Sequence, residues 1–267
     1  MTICIAAIAS DTEKNKEYVV FATDHMVSWV LGGFEHPIKK YKVVNKSTVA
    51  MLAGNPLLLD DLVKVKDENT PYDDLKKHIY DNFQLKMKDI IQKELLDPIG
   101  INFEDIPKAV NQPMHNPYGI NEVMLAIINR VKRINLATQI LLIGFDKSGG
   151  KSEAQITEIR QNNISDYRTL NFHTIGSGAM QAFNTLLFQG QHRTENLLTT
   201  IYNVYKAKRN AEVLEGVGNE TDIFVLHNDG CVDLNAHLEV LKQIYAEELN
   251  SGKTNQKLKQ IKIEGVV

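Results

Sequence analysis

The second residue of the chain, Thr2, is the first candidate for chemistry, because cleavage of the bond after Met1 would give it a free α-amine beside its hydroxyl. One residue would then hold both a nucleophile and a base. An α-amine has a reference pKa of about 7.7 to 8.0, so near neutral pH it can accept the hydroxyl proton without a histidine. Many chains begin with Met-Thr, so Thr2 needs support from other residues.

Three residues at the ends of predicted strands offer that support. Asp24 ends the second strand, Lys40 opens the third and Gly54 ends the fourth. A lysine beside the amine disfavours the protonated amine, and a carboxylate holds the lysine in place and charged. A glycine N–H that opens a helix donates to an oxyanion, helped by the positive helix end. If these strand ends meet in space, the residues suit acyl transfer.

Each of these residues also has a simpler interpretation. Lys40 lies in a lysine-rich strand end, Asp24 can cap a turn, and Gly54 can serve a tight strand-to-helix turn.

Cys4 is a second candidate nucleophile, but its isoleucine neighbours favour a buried apolar role. Ser177, between two glycines, is weak evidence for a phosphate-binding loop. The eight histidines show no metal-ligand spacing, so we predict no metal and no other cofactor.

The composition indicates a chain that can bury a large core. Its 267 residues are 43% hydrophobic, and 30 Lys and Arg against 33 Asp and Glu leave a net charge of −3. This balance argues against a nucleic-acid partner. Two cysteines cannot build a disulfide framework. Because no apolar window approaches a membrane span and the start lacks the features of an export signal, we expect a cytoplasmic protein with no membrane partner.

The hydrophobic pattern predicts strand pairs separated by groups of helices. This order differs from the strand–helix alternation of a parallel sheet, so it predicts an α+β fold with two stacked antiparallel sheets and helices outside each. The predicted strands are Thr2–Ile8, Tyr18–Thr23, Ile38–Val44, Ser47–Ala53, Gln139–Phe145, Ala154–Ile159, Phe172–Ile175 and Asp222–Leu226. The predicted helices are Leu57–Val65, Pro71–Leu95 with Thr70 as its cap, Asn121–Ile134, Ala179–Phe188, Glu195–Glu212 and Leu234–Glu248.

Longer segments define the predicted organisation. Residues 1–250 are expected to form a single domain with a helical insertion at about 67–121, and the lysine-containing residues 251–267 a flexible basic tail. The apolar stretch Trp29–Phe34 is predicted to be an exposed loop, either a subunit contact or pocket wall or simply packed as a loop.

Several motifs together resemble a known family. The chain opens with Met-Thr-Ile-Cys-Ile-Ala-Ala-Ile, and Lys40 lies sixteen residues after Asp24 and fourteen before Gly54. Downstream, Ile175–Gly178 contains a Gly-Ser-Gly turn, and a signature runs from Ala207 to Asp222. This pattern resembles the proteasome-type branch of the N-terminal nucleophile hydrolases, close to the proteasome-like proteins of prokaryotes.

The resemblance implies a four-layer αββα sandwich and a role for each matching residue. Thr2 would be the nucleophile, Asp24 and Lys40 its support, Gly54 an oxyanion donor and Ser177 an auxiliary group. The family's Asp-x-x-Ser after the fifth helix has no clean counterpart, and its nearest substitutes, among which the sequence does not decide, are Glu212, Glu215 and Asn219.

The sequence therefore predicts a threonine hydrolase that cleaves peptide or amide bonds through an acyl-enzyme on Thr2. The resemblance implies a homo-oligomer, ring-like in form, and leaves open whether an ATPase is a partner. Two alternatives stay open: a proteasome-like scaffold without catalysis, and an amidase or ligase of the same class that acts on small substrates.

Overall fold

Most strands of the chain form two five-stranded antiparallel sheets. The computed structural model describes residues 2–29, 32–64, 67, 70–105, 122–147 and 150–251. In chain order the strands are β1 (Ile3–Asp11), β2 (Lys16–Asp24), β3 (Met26–Trp29), β4 (Gly32–Glu35), β5 (Tyr41–Asn45), β6 (Thr48–Ala53), β7 (Gln139–Asp146), β8 (Glu153–Arg160), β9 (Asn163–Asp166), β10 (Phe172–Gly176), β11 (Thr221–His227) and β12 (Gly230–Asp233). The first sheet has the order β10-β1-β2-β11-β12, the second β5-β6-β7-β8-β9, and β3 and β4 form a separate hairpin.

The described part of the chain has six α-helices, five of which cover the outer faces of the two large sheets. They are α1 (Leu59–Leu62), α2 (Tyr72–Ile91), α3 (Glu122–Arg133), α4 (Ala179–Phe188), α5 (Leu197–Ala211) and α6 (Leu238–Ser251). Helices α4, α5 and α6 pack against the first sheet, and α1 and α2 against the second. The predicted α+β class with two antiparallel sheets is confirmed, and these contacts are compatible with the predicted layered sandwich.

Strand β1 shows why the inner strands are apolar on both faces. Ile3 and Ile5 point toward the helices of the first sheet, whereas Cys4 and Ala6 pack against the second sheet. Alternate residues of a strand point to opposite faces, so a strand between a sheet and a helical layer must be apolar throughout. The apolar run that begins the sequence therefore places the start of the chain at the centre of the molecule.

Two predicted helix starts differ from the structure. The helix predicted at Leu57–Val65 is a 3₁₀ turn, Pro56–Leu58, followed by the four-residue α1, and it ends where Val63 adopts a ψ of 55°. Thr70 does not cap α2, because its hydroxyl donates to the carbonyl of Asp67 and Pro71 is extended, with a ψ of 152°.

Four short strands, β3, β4, β9 and β12, are absent from the predicted ranges. The predicted loop Trp29–Phe34 is wrong for the described residues, because Trp29 ends β3 and Gly32 begins β4. The third, β9, is four residues long and polar, so no apolar alternation marks it. The predicted tail, 251–267, and part of the insertion, 106–121, fall almost entirely outside the described residues.

Within the ranges given above, no helix combines the length and the apolar character needed to cross a bilayer.

Candidate active site

The predicted site residues come from neighbouring ends of the two large sheets. Thr2 directly precedes β1 and Asp24 is the last residue of β2, its antiparallel partner. Lys40 precedes β5 in the second sheet, where its carbonyl accepts a hydrogen bond from the Leu52 N–H at 2.8 Å. Gly54 directly follows β6. The prediction that these strand ends meet therefore holds in space.

The carboxylate of Asp24 is the centre of this site. It is fully buried and accepts five hydrogen bonds, from two side chains and three backbone N–H groups. Its Oδ1 accepts from Thr2 Oγ1 at 2.6 Å, Lys40 Nζ at 2.7 Å and the Ile3 N–H at 2.9 Å, and its Oδ2 from the Gly218 N–H at 2.9 Å and the Met26 N–H at 3.2 Å.

These donors keep the carboxylate ionised. Burial alone would raise the pKa of Asp24, but the charge of Lys40 and the hydrogen bonds from Lys40, Thr2 and Gly218 outweigh it and lower that pKa below its ordinary value. Lys40 is itself 4% exposed and also donates to the Met26 carbonyl at 2.5 Å. The buried ion pair is thus held by hydrogen bonds on both sides, as a desolvated pair requires.

The Gly-Ser-Gly turn lies directly against Thr2. The Thr2 N–H donates to Ser177 Oγ at 3.2 Å, and the Ser177 hydroxyl reaches the Thr2 carbonyl at 3.2 Å. Gly176 has a φ of +101°, and a Cβ on it would lie 2.2 Å from the Thr2 carbonyl oxygen. Only glycine permits this approach, so the predicted contact between Ser177 and Thr2 is present.

A small pocket opens beside the Thr2 hydroxyl. Its volume is about 20 Å³, room for about one water molecule. Its lining consists of Thr2, Met26, Val27, Lys40, Leu52, Gly54 and Pro56. Gly54 thus shares a pocket with Thr2 and Lys40, as predicted for an oxyanion donor. The helix dipole at Gly54 is weaker than predicted, because only a 3₁₀ turn and the four-residue α1 follow this glycine.

Replacement of Gly54 by alanine should destabilise the protein and disturb this pocket. Gly54 has a φ of +120°, and a Cβ there would lie 2.3 Å from the Ala137 carbonyl oxygen, so the backbone must move. We expect a loss of about 2 kcal/mol or more in the free energy of unfolding, measured by urea titration. Gly150→Ala is the control, since its φ is also positive but nothing lies near its Cβ. Equal losses in the two variants would contradict the prediction.

The three substitutes for the missing Asp-x-x-Ser take different places. Glu212 pairs with Lys208 at 2.5 Å and with Arg209 at 2.6 Å. The Asn219 carbonyl accepts from Lys208 Nζ at 2.8 Å, and Glu215 is exposed. Glu212 and Asn219 are therefore linked to the site indirectly, because both bind Lys208.

Two residues that the sequence did not assign complete the site. The Gly218 N–H binds Asp24, and Lys208 binds the Gly218 carbonyl at 2.8 Å. Both lie within the signature from Ala207 to Asp222, which was the only signal that could have found them. Cys4 is fully buried, its thiol donates to the Leu52 carbonyl at 3.5 Å, and burial raises its thiol pKa, which disfavours the thiolate.

Comparison with known proteins gives no match, either to a family model or to a curated protein. Among the residues whose placement is described, no group of three His, Cys, Asp or Glu side chains is arranged to hold a metal ion.

Proposed function

We propose that the chain is a threonine hydrolase of the N-terminal nucleophile class, with the proteasome-type four-layer sandwich as its fold. The observation that carries the proposal is the meeting of the Thr2 hydroxyl and the Lys40 ammonium on one buried oxygen of Asp24. The hydroxyl and the ammonium share one buried acceptor, so the position of the hydroxyl is fixed beside a cation. This geometry supports a role for Thr2 as a nucleophile.

Maturation is the first step of the proposed reaction. In the chain as given, the Thr2 nitrogen is an amide, because Met1 precedes it. Cleavage of that peptide bond gives Thr2 an α-amine in the place where its N–H now meets Ser177 Oγ. The nearby charge of Lys40 disfavours protonation of this amine, which suits it to act as a base near neutral pH.

Acylation then follows. Thr2 Oγ1 attacks the carbonyl carbon of the substrate amide, and its proton passes to the α-amine. The carbonyl oxygen takes the negative charge, and the Gly54 N–H stabilises it. When the C–N bond breaks, the leaving nitrogen takes the proton from the α-ammonium, and an ester on Thr2 remains.

Water completes the cycle. The α-amine takes a proton from a water molecule, whose oxygen adds to the ester carbon. Cleavage of the ester bond releases the carboxylic acid, and Thr2 Oγ1 recovers a proton. The bond cleaved in this reaction is a peptide or amide bond. Assembly into a homo-oligomer is part of the same proposal.

A second candidate function, a scaffold without catalysis, is favoured by two observations. The small pocket beside Thr2 holds about one water molecule, and the Thr2 hydroxyl donates to Asp24 rather than to a base. In a scaffold, Thr2 would keep Met1 and the hydroxyl would serve only to satisfy the buried carboxylate.

The mass of the mature chain separates these two functions. For the hydrolase, we expect the intact mass of the purified protein to correspond to a chain that begins at Thr2. Incubation with a peptide epoxyketone, which reacts with a hydroxyl and an amine on one residue, should add one reagent mass on Thr2. A chain that keeps Met1, or an unmodified Thr2 after incubation, would exclude the hydrolase and leave the scaffold.

A further inference from the structure

Lys208, in α5, is a buried cation outside the groups that touch Thr2. Its side chain is 0% exposed, which is unusual for a lysine. Its Nζ meets three acceptors: Glu212 Oε1 at 2.5 Å, and the carbonyls of Gly218 and Asn219, each at 2.8 Å. All three donor positions of the ammonium are therefore used.

The segment that Lys208 binds also binds Asp24. Gly218 donates its N–H to Asp24 Oδ2 at 2.9 Å and accepts from Lys208 through its carbonyl. Because Gly218 makes both contacts, the hydrogen bond from Lys208 restrains the residue whose N–H reaches the Asp24 carboxylate. Thr2 and Lys40 bind the other oxygen, Oδ1.

Glu35 holds the same segment from the opposite side. Its Oε1 accepts hydrogen bonds from the backbone N–H groups of Asn219 and Glu220, the latter at 3.2 Å. The carbonyls of the segment thus face a lysine and its N–H groups face two carboxylates. This arrangement leaves little freedom to rotate the Gly218 N–H away from Asp24.

We propose that Lys208 is a positioning residue for the Thr2 reaction, which acts by clamping the segment 218–219 so that Gly218 orients and stabilises the ionised carboxylate of Asp24. This proposal rests on the proposed function for its catalytic consequence. The link from Lys208 to Asp24 can be measured without any activity.

The charges around Lys208 are consistent with this role. Burial has the largest effect and lowers the pKa of Lys208, and the charge of Arg209 lowers it further. The hydrogen bond and charge of Glu212 and the charge of Asp24 raise this pKa, but the net shift is a lowering. The lysine thus loses its proton more readily than an exposed lysine. Deprotonation would weaken the hydrogen bonds to the two carbonyls.

The first test is Lys208→Met, which keeps an unbranched side chain only one atom shorter and removes the charge and the donors. We expect labelling by the epoxyketone to slow about tenfold or more, and the pKa of Asp24 to rise by about one unit in a carbon-13 NMR titration of its carboxyl group. Lys206→Met is the matched control, because Lys206 lies on the same helix and pairs with Glu248 at 2.7 Å. It should change neither quantity.

The two readouts distinguish failure of this inference from failure of the proposed function. If the wild-type protein is not labelled, the hydrolase is excluded, but the titration of Asp24 still reports on the clamp. A Lys208→Met protein in which Asp24 titrates as in the wild type would overturn the inference. Slower labelling with no change in the titration of Asp24 would also overturn the inference, because a purely structural defect gives this result.

A second measurement needs no variant and covers the case in which Lys208→Met does not fold. In the wild-type protein, the Gly218 amide proton and the Asp24 carboxyl carbon should both shift when Lys208 loses its proton. The Cε signals of Lys208 and Lys40 identify which lysine titrates at each pH. If neither the Gly218 nor the Asp24 signal follows the titration of Lys208, the clamp does not exist.

Discussion

Replacement of Thr2 by alanine should abolish substrate turnover and epoxyketone labelling in a protein that still folds. The variant lacks the proposed nucleophile, and removal of a nucleophile from a hydrolase costs roughly 10⁴-fold or more in rate. The fold should persist because the loss is one hydrogen bond to a charged group, worth about 1.5 to 3 kcal/mol. Intact mass spectrometry after incubation with the reagent, together with urea unfolding, measures both effects.

Two control variants make this result specific. Thr2→Ser keeps a hydroxyl and an α-amine on one residue and should still be labelled. Thr23→Val removes a buried hydroxyl one residue before Asp24 that has no hydrogen-bond partner within the described part of the chain, and it should be labelled at the wild-type rate. Labelling of Thr2→Ala at the wild-type rate would place the nucleophile elsewhere.

Replacement of Asp24 by asparagine should cause a large loss of stability together with the loss of activity. The Lys40 ammonium would stay buried without its counter-charge, and breaking a buried ion pair in this way costs about 3 to 5 kcal/mol. All five partners of Asp24 are donors, so the new amide N–H₂ would also face a donor. Urea unfolding at neutral pH measures the loss.

The pH dependence of that loss has a definite sign. The folded-state pKa of Asp24 is lowered, so its stabilisation is fully present above the unfolded-state pKa of about 3.9 and is lost as the pH falls through the folded-state value. The wild-type and Asp24→Asn proteins should therefore differ most near neutral pH and converge in acid. Parallel curves of unfolding free energy against pH would contradict this assignment.

Asp61→Asn provides the matched control for this experiment. Asp61 also has a lowered pKa, from its hydrogen bonds and charge interactions with Lys86 and Lys64, but it lies at the surface. Water screens such a pair, so the variant should lose much less stability than Asp24→Asn. A similar loss in both would mean that burial of the Asp24 pair has no special effect.

The positions of the site residues were predictable because strand ends set them. Thr2 and Asp24 border two apolar runs joined by a short polar turn, which is the usual pattern of an antiparallel hairpin. Lys40 and Gly54 border a second such pair. The approach of the two pairs was suggested by the placement of these residues at strand ends together with the family resemblance.

The contributions of Gly218 and Lys208 were not predictable in the same way. Gly218 acts through its backbone N–H, which every residue except proline has, so its residue type gives no signal. Lys208 binds two backbone carbonyls that lie ten and eleven residues later in the chain. The helical periodicity of the sequence does not predict such a contact. The hairpin of β3 and β4 was missed because each strand has only four residues.

Asp24 and Lys40 belong to different sheets, and this division has a consequence for how the protein gains reactivity. The carboxylate comes from the end of β2 and the ammonium from the residues before β5, yet they form one ion pair at 2.7 Å. A nascent or half-folded chain, in which the sheets have not yet docked, cannot bring these charges together. In the proposed hydrolase, the ion pair that supports Thr2 would therefore form only once the two sheets have docked.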